Sequence, residues 1–266
     1  MKAPAIEQYF GHGYHQLYKH YLLPPEQSAA EARFLARKLR PRAGQRWLDM
    51  PCGFGRHLLA LRALRPALAL FGGDLHRRFL GEDGLRAAAG VCACDMRRLP
   101  FADASFDGVL NLLNSFGYYP PATRGKAGGK TSPKKKALDD LDILSEWARV
   151  LRPGGRLVLD LANRRALVGL VARQPVIRYC GGDYETIEQF EWDPAREIMS
   201  NRTLWRWPEG EEHAAYRLRL YTPAQMRRLL ADAGFELSAV FGDFSGHGFD
   251  PYQSERMLIL ARRSAE

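Results

Sequence analysis

The segment Gln45-Arg-Trp-Leu-Asp-Met-Pro-Cys-Gly-Phe-Gly-Arg-His57 decides the fold class that the sequence predicts. A short apolar run ends on Asp49, a loop containing Gly53 and Gly55 follows, and apolar residues at helical spacing continue to Leu64. Glycine in such a loop lets the backbone approach a ligand closely, because no Cβ stands in the way. The order of strand, glycine loop and helix therefore predicts the first βα unit of a nucleotide-binding α/β sheet.

The pattern Leu-Asp-x-x-Cys-Gly-x-Gly-Arg over residues 48–56 resembles the first motif of the class I S-adenosylmethionine-dependent methyltransferases. In that family the loop lies under the methionine part of the cofactor, and the preceding acid meets its amino end, largely through water. A dinucleotide site is the alternative, but its fingerprint needs a third small residue where this chain has Leu58 or Leu59. The resemblance implies S-adenosylmethionine as cofactor, held here by Asp49, Cys52, Gly53, Gly55 and Arg56.

Three later strand ends carry further residues that the resemblance assigns to the cofactor. Asp74 ends the second apolar run, at the spacing expected of a carboxylate that accepts two hydrogen bonds from a ribose diol. Asp95 and Met96 match by position the family's acid that accepts from the adenine amino group and the residue that covers the ring. The end of the fourth strand lies at the switch point where such sheets bind ligands. The residues predicted in these places are Asp74, Leu75, Asp95, Met96, Asn111 and Leu112.

The segment Asn114-Ser-Phe-Gly-Tyr-Tyr119 resembles a group of bacterial class I methyltransferases that includes small-molecule N-methylating enzymes. An amine acceptor must arrive unprotonated and a hydroxyl must lose its proton, which a nearby base can assist. The predicted substrate contacts are Asn114, Ser115 and Phe116, together with Tyr14 of an aromatic N-terminal segment. The predicted catalytic candidates are Tyr118, Tyr119 and His247.

Composition divides the chain into one large domain and three added segments. Residues 1–40 predict an N-terminal lid and a helix, and residues 41–174 with 222–266 predict the cofactor-binding domain. Alternating β-favouring runs between turn signals predict an antiparallel insertion near the active site over residues 175–221. Residues 120–136, rich in Gly, Lys, Pro and Ser without periodicity, predict a flexible basic loop. The predicted α/β fold is a doubly wound, Rossmann-like, seven-stranded, mostly parallel sheet whose last two strands form an antiparallel pair.

The formal net charge of +9 comes mostly from the basic loop, because removing its six basic residues would leave +3. Residues 124–136 could dock RNA or an acidic protein, although a solvated loop without function is the simpler explanation. The four cysteines lack zinc-type spacing, which favours reduced thiols in the cytoplasm and no metal. No apolar run reaches the roughly 18 residues of a membrane span, so no membrane partner is expected.

These observations predict a cytoplasmic methyltransferase that transfers a methyl group to nitrogen or oxygen of a small molecule by in-line displacement. The sequence leaves three alternatives open. One is an RNA or protein methyltransferase that docks through residues 124–136. A second is a non-catalytic S-adenosylmethionine-binding partner subunit. The third is a nicotinamide-dependent reductase.

Overall fold

The structure of the chain is a computed structural model that describes residues 9–82, 84–119 and 139–265. The basic loop predicted over residues 120–136 lies outside them. Among the helices of the described residues, none is long and apolar enough to cross a membrane.

The described strands form two sheets. Strands β1 (Arg46–Asp49), β2 (Ala69–Asp74), β3 (Gly90–Ala93), β4 (Phe106–Asn111) and β5 (Leu151–Ala162) belong to a central sheet. Strands β6 (Val176–Gly181), β7 (Tyr184–Asp193), β8 (Ile198–Trp207) and β9 (Gly210–Arg219) form a second sheet. Strands β10 (Phe235–Phe241) and β11 (Arg256–Arg263) return to the central sheet.

The central sheet has seven strands in the order β3–β2–β1–β4–β5–β11–β10. Strand β11 runs antiparallel to both β10 and β5, whereas the other neighbours are parallel. The strand order reverses between β1 and β4, and the carboxyl ends of the strands leave a crevice at such a reversal. The second sheet, in the order β6–β7–β8–β9, is antiparallel throughout. The predicted mostly parallel seven-stranded sheet and antiparallel insertion are therefore confirmed.

Helices cover both faces of the central sheet. They are α1 (His12–Leu17), α2 (Pro25–Leu39), α3 (Arg56–Leu64), α4 (Leu85–Ala88), α5 (Asp140–Val150), α6 (Arg164–Arg173) and α7 (Pro223–Asp232). Helix α1 continues into a π-helical turn over Tyr18–Leu22, and Phe79–Gly81 forms a 3₁₀ turn. Helix α7 begins with a capping box: the hydroxyl of Thr222 accepts from the Gln225 N–H, and the Gln225 side chain accepts from the Thr222 N–H.

The core lies in two layers, one on each face of the central sheet. Trp47 and Leu48 are neighbours on β1 but belong to opposite layers, because successive side chains of a strand point to opposite faces. Trp147 of α5 lies in the layer of Leu48, and Phe34 of α2 lies in the layer of Trp47. The sheet is therefore buried on both faces, which leaves the strand ends as the place for a ligand.

The second sheet carries the N-terminal segment on its inner face. Tyr9 packs against Trp205 of β8 and Tyr216 of β9, with ring centroids 5.7 and 4.6 Å apart. Tyr14 and Leu17 belong to the same buried cluster. This packing holds the segment between the second sheet and the carboxyl edge of the central sheet.

Candidate functional site

A cleft opens at the carboxyl ends of the central strands, beside the N-terminal segment. It contains about 870 Å³ of space not filled by protein atoms, which includes the open solvent at its mouth. Its walls come from four loops after β1, β2, β3 and β4, and from aromatic side chains that include Phe10, Tyr14 and Phe79. The cleft lies at the reversal of strand order, where ligands bind in doubly wound sheets.

The two glycines of the loop after β1 have different reasons to be glycine. Both adopt left-handed backbone angles, with φ of +53° at Gly53 and +79° at Gly55, which favours a residue without a Cβ. A Cβ on Gly53 would meet no atom of the described protein within 4 Å, whereas one on Gly55 would lie 2.3 Å from Leu85 Cδ1. Gly53 lines the cleft and Gly55 does not. Gly53 therefore keeps space for a ligand, and Gly55 makes room for packing.

Asp74 presents a carboxylate that is already oriented toward the cleft. Its Oδ2 accepts from the Gly53 N–H and its Oδ1 accepts from the His76 N–H, both at 2.8 Å. Burial raises the pKa of Asp74 to about 6, although these backbone hydrogen bonds oppose the rise. The carboxylate is therefore ionised at neutral pH, and its remaining lone pairs can accept from a ribose diol.

Asp49 lies at the end of β1, one residue before the cleft wall begins at Met50. It is 1% exposed, and neither carboxylate oxygen has a hydrogen-bond partner in the described part of the chain. Burial raises the pKa of Asp49 to about 8, against the opposing charge of Arg56. A buried acid without partners is costly, and it fits a site that receives the cationic amino end of a cofactor, directly or through water.

Arg56 begins α3 on the cleft wall and is held from behind by α2. Its Nη2 lies 2.7 Å from Oε2 of Glu31, and its Nη1 donates to Ser28 Oγ at 3.2 Å. His57 Nε2 lies 2.7 Å from the same Glu31 oxygen. Burial alone would raise the pKa of Glu31, but His57 and Arg56 outweigh it and lower the pKa to about 2. Burial lowers the pKa of His57, so its imidazole is neutral and donates its Nε2 proton.

Asp95 and Met96 line the far end of the cleft, as does Leu75. Arg97 holds the Asp95 carboxylate through its Nε and Nη2, the latter 2.6 Å from Oδ2. Burial acts to raise the pKa of Asp95, and the hydrogen bonds from Arg97 turn the net shift downward. The carboxylate is thus ionised and faces the cleft, where it can accept from an adenine amino group.

Only some of the residues at the end of β4 and just after it face the cleft. Leu112 and Ser115 line it, whereas Asn111, Asn114 and Phe116 do not. Asn111 is fully buried and its amide donates to the Met50 carbonyl at 2.8 Å, so it fastens β4 to the loop after β1. Asn114 Oδ1 accepts from the Ala162 N–H of β5 at 3.0 Å. Phe116 is 1% exposed and stacks near Trp147 in the core. These three residues make structural contacts here, and their predicted ligand contacts stay predictions.

Of the predicted catalytic candidates, two line the cleft and one does not. Tyr118 and Tyr119 are wall residues, as is the predicted substrate contact Tyr14. Burial raises the pKa of Tyr118, so its phenol stays protonated at neutral pH. His247 lies outside the cleft, with its side chain 79% exposed and its Nδ1 2.6 Å from Asp243 Oδ2. The turn after β10 thus places His247 in solvent, and its catalytic role stays a prediction that the geometry does not support.

Several wall residues were not among the sequence-based candidates. They include Phe10, Leu23, Phe54, His76, Phe79 and Leu113, and Glu31 supports the wall from behind. The sequence did contain a signal for Glu31, which lies three and four residues before Phe34 and Leu35 on the apolar face of α2. A carboxylate on an apolar helical face requires a buried partner. Cys52 lines the cleft as predicted, and burial raises the pKa of its thiol.

Comparisons with known proteins find similarity to methyltransferases. The family described as "Methyltransferase domain" matches residues 48–124. The ubiquinone/menaquinone biosynthesis C-methyltransferase UbiE of Desulfotalea psychrophila is 30% identical over 162 residues, which are 59% of this chain and 58% of that protein. The chain thus spans under two thirds of this curated relative.

Solved structures share the fold over nearly the whole chain. The CcbJ methyltransferase from Streptomyces caelestis has a TM-score of 0.75 at 19% identity, covering 97% of this chain and 99% of that one. CalS10 from Micromonospora echinaspora, an amino pentose methyltransferase solved with S-adenosylmethionine, has a TM-score of 0.60 at 20% identity, covering 94% and 96%. Residues 48–124 thus match a methyltransferase domain, and the chain shares its fold with S-adenosylmethionine-dependent methyltransferases of known structure.

The cleft has groups that fit each part of S-adenosylmethionine, the cofactor with which the similar structure of CalS10 was solved. Gly53 leaves open space, Asp74 offers acceptors for the ribose, and Asp95 with Met96 offers an acceptor and a cover for the adenine. Asp49 is the unpartnered acid near the position of the amino end. The bound cofactor supplies an activated methyl group, so the protein contributes position and exclusion of water.

Proposed function

We propose that the protein transfers the methyl group of S-adenosylmethionine to nitrogen or oxygen of a small molecule. The main observation that supports the proposal is that the cleft is closed on the side where the substrate would bind. The N-terminal segment covers this side, with Phe10 6.0 Å from Tyr118 and Tyr14 stacked 4.2 Å from Tyr18, measured between ring centroids. An aromatic-walled space of this size suits a small acceptor better than a polymer.

A similar structure supports nitrogen as the acceptor atom. CalS10 is by its description an amino pentose methyltransferase, and it shares this fold over 94% of the chain. The curated relative UbiE is by its name a C-methyltransferase, but its likeness covers 58% of that protein.

The residues of this chain would act by holding and orienting the two reactants. Asp74 and the glycine loop fix the cofactor, and the ion pair of Arg56 with Glu31 fixes the loop to α2. Tyr14, Tyr118 and the N-terminal segment exclude water from the acceptor side. Tyr118 is a neutral phenol, so it suits donation of a hydrogen bond better than removal of a proton.

Methyl transfer from labelled S-adenosylmethionine into a fractionated cell extract tests this function, with nuclease and protease treatment in parallel. Label in a small, nuclease-resistant and protease-resistant fraction is the expected result. Label that is lost on nuclease or protease treatment would replace it with the macromolecular alternative. S-adenosylhomocysteine binding without any transfer would favour the partner-subunit alternative instead.

A further inference from the structure

The inner face of the second sheet contains a buried carboxylate with no cation beside it. Glu188 lies in the middle of β7 and is 4% exposed. Its Oε1 accepts a 3.0 Å hydrogen bond from the hydroxyl of Tyr9. Among the residues that the structure describes, no Lys, Arg or His side chain forms an ion pair with it. Burying a carboxylate without a cation is unfavourable for folding, so stability alone does not explain this residue.

The same face carries two more buried polar groups that lack hydrogen-bond partners in the described structure. They are Thr186 Oγ1 and Trp205 Nε1, each on a residue that is 1% exposed. The register places Thr186 opposite Trp205 and Glu188 opposite Thr203, so all of them point to one side of the sheet. Asn201 lies on this side as well, where its Oδ1 accepts from Thr203 and its side chain is a hydrogen-bond partner of Glu188.

Aromatic rings surround this polar group and connect it to the cleft. The ring of Tyr216 lies 4.6 Å from that of Tyr9 and 5.4 Å from that of Tyr118, a residue of the cleft wall. Tyr9 also packs against the wall residues Phe10 and Tyr14, at 5.2 and 5.6 Å. Tyr9 therefore lies between the cleft and Glu188, and its hydroxyl donates a hydrogen bond to the Glu188 carboxylate.

We propose that this face is the acceptor site and that Glu188 binds the amine of an amino sugar or a similar polyhydroxylated ring. The proposal rests on the methyltransferase function proposed above. The carboxylate binds the incoming ammonium group and accepts one of its protons, so that the amine is neutral when it attacks the methyl group, and the Trp205 N–H is a donor for a ring hydroxyl oxygen. Tyrosine and tryptophan rings pack against the C–H face of such a ring. In the absence of an acceptor, Tyr9 fills the position that the acceptor would take. It is displaced when the acceptor binds.

The direction of the Glu188 pKa agrees with this role. Burial raises the pKa of Glu188, and the hydrogen bonds with Tyr9, Thr203 and Asn201 only partly oppose that rise. A cationic group supplied by a ligand would relieve this penalty. The site therefore gains most from a partner that brings positive charge, which distinguishes an amine from a neutral sugar.

Binding of monosaccharides to the full chain saturated with S-adenosylhomocysteine tests the proposal. The probes are methyl hexopyranosides and pentopyranosides with one amine at C2, C3 or C4, and their neutral hydroxyl counterparts. In the wild type, at least one amine is expected to bind about tenfold or more tightly than its counterpart. Glu188→Gln keeps an acceptor for Tyr9 but removes the charge, so it should abolish this preference and leave S-adenosylhomocysteine affinity unchanged.

Two variants make the result specific. Glu191→Gln changes an exposed glutamate on the same strand and should keep the full preference for the amine. Tyr9→Phe removes the hydroxyl that occupies Glu188 and should tighten binding of the amine by about tenfold.

The proposal is overturned if no amine binds more tightly than its neutral counterpart, or if Glu188→Gln binds the amine as the wild type does. If label from the cofactor still enters a small molecule in that case, the methyltransferase function stands and only the assignment of Glu188 falls. If S-adenosylhomocysteine does not bind at all, the proposed function fails before the acceptor is in question.

Discussion

The amide N–H of Gly53 donates a 2.8 Å hydrogen bond to Oδ2 of Asp74, so the glycine loop is fixed directly to the acid that ends the neighbouring strand. The other oxygen of Asp74 accepts from the His76 N–H. Two strand ends are joined by one carboxylate, which holds both parts of the cofactor site in place before any ligand enters. This preorganisation saves the entropy that ordering a loose loop would require on binding.

Replacing Asp74 by alanine should therefore weaken the cofactor site in two ways. It removes the charged acceptor for the ribose and leaves the Gly53 N–H without its partner. We expect the affinity for S-adenosylhomocysteine to fall by about 1.5–3 kcal/mol, measured by isothermal titration calorimetry. Asp232→Ala, which changes an exposed acid on α7, is the control and should bind as the wild type does. Unchanged affinity in Asp74→Ala would mean that the ribose binds elsewhere.

The two loop glycines offer a matched pair of substitutions. Both carry a positive φ, so alanine costs about 1–2 kcal/mol of backbone strain at either place. Gly55→Ala should lose a further 1–3 kcal/mol, roughly, from overpacking against Leu85. Gly53→Ala should remain the more stable variant but lose cofactor affinity, because its Cβ enters the open cleft.

Urea unfolding and calorimetric titration of both variants test this difference. If Gly53→Ala binds S-adenosylhomocysteine as the wild type does, the cofactor does not pass over the loop. If Gly55→Ala is no less stable than Gly53→Ala, the packing of Leu85 adapts to the added methyl group.

The sequence predicts the fold well because its signals are local. The glycine loop after β1 and the acid at the end of β2 are each recognisable within a few residues. Their place in one sheet then follows from rules of strand connection. The capping pattern at Thr222 is equally local, and the structure contains it.

The direction of individual side chains and the pairing of distant residues could not be predicted from the sequence in the same way. Asn111 and Leu112 are adjacent, yet Leu112 lines the cleft and Asn111 turns back to the Met50 carbonyl. Which of two neighbours faces a ligand depends on the phase of the strand, which a resemblance does not fix. The position of Glu188 is still harder to predict from the sequence, because both faces of β7 carry polar residues and its partner Tyr9 lies 179 positions earlier.

The predicted catalytic role of His247 can be tested directly. Its side chain is largely exposed and its Nδ1 contacts Asp243, away from the cleft. His247→Ala should therefore leave kcat/KM for the labelled small-molecule fraction within about twofold of wild type, since exposed substitutions usually change free energies by about 0.5 kcal/mol or less. A larger loss would show that this turn reaches the acceptor during the reaction.

The ion pair of Glu31 with Arg56 predicts a pH-dependent stability. The pKa of Glu31 is lowered from 4.5 to about 2 in the folded chain, so its carboxylate stabilises the fold above pH 4.5. This contribution, about 3 kcal/mol, is lost as the pH falls from 4.5 through 2. Glu31→Gln should be less stable by about 3 kcal/mol at pH 7, because Arg56 stays buried without its counter-charge.

Urea unfolding at several pH values measures this effect. The difference between wild type and Glu31→Gln should shrink as the pH approaches 2. The exposed Glu26→Gln on the same helix is the control and should cost less than about 1 kcal/mol at any pH. A constant difference between wild type and Glu31→Gln would assign the loss to packing and not to charge.

Asp49 predicts that cofactor binding releases a proton. Burial raises its pKa to about 8, so at pH 7 about 0.9 of the carboxyl groups are protonated in the free protein. The ammonium group of S-adenosylhomocysteine favours the ionised form and lowers this pKa. Calorimetric titrations at pH 7 in phosphate and in Tris, which differ in ionisation enthalpy, should therefore report the release of nearly one proton. Asp49→Asn should abolish the release, whereas Asp232→Asn, which changes an exposed acid on α7, should keep it. Binding heats of the wild type that do not depend on the buffer would mean that Asp49 does not sense the amino end of the cofactor.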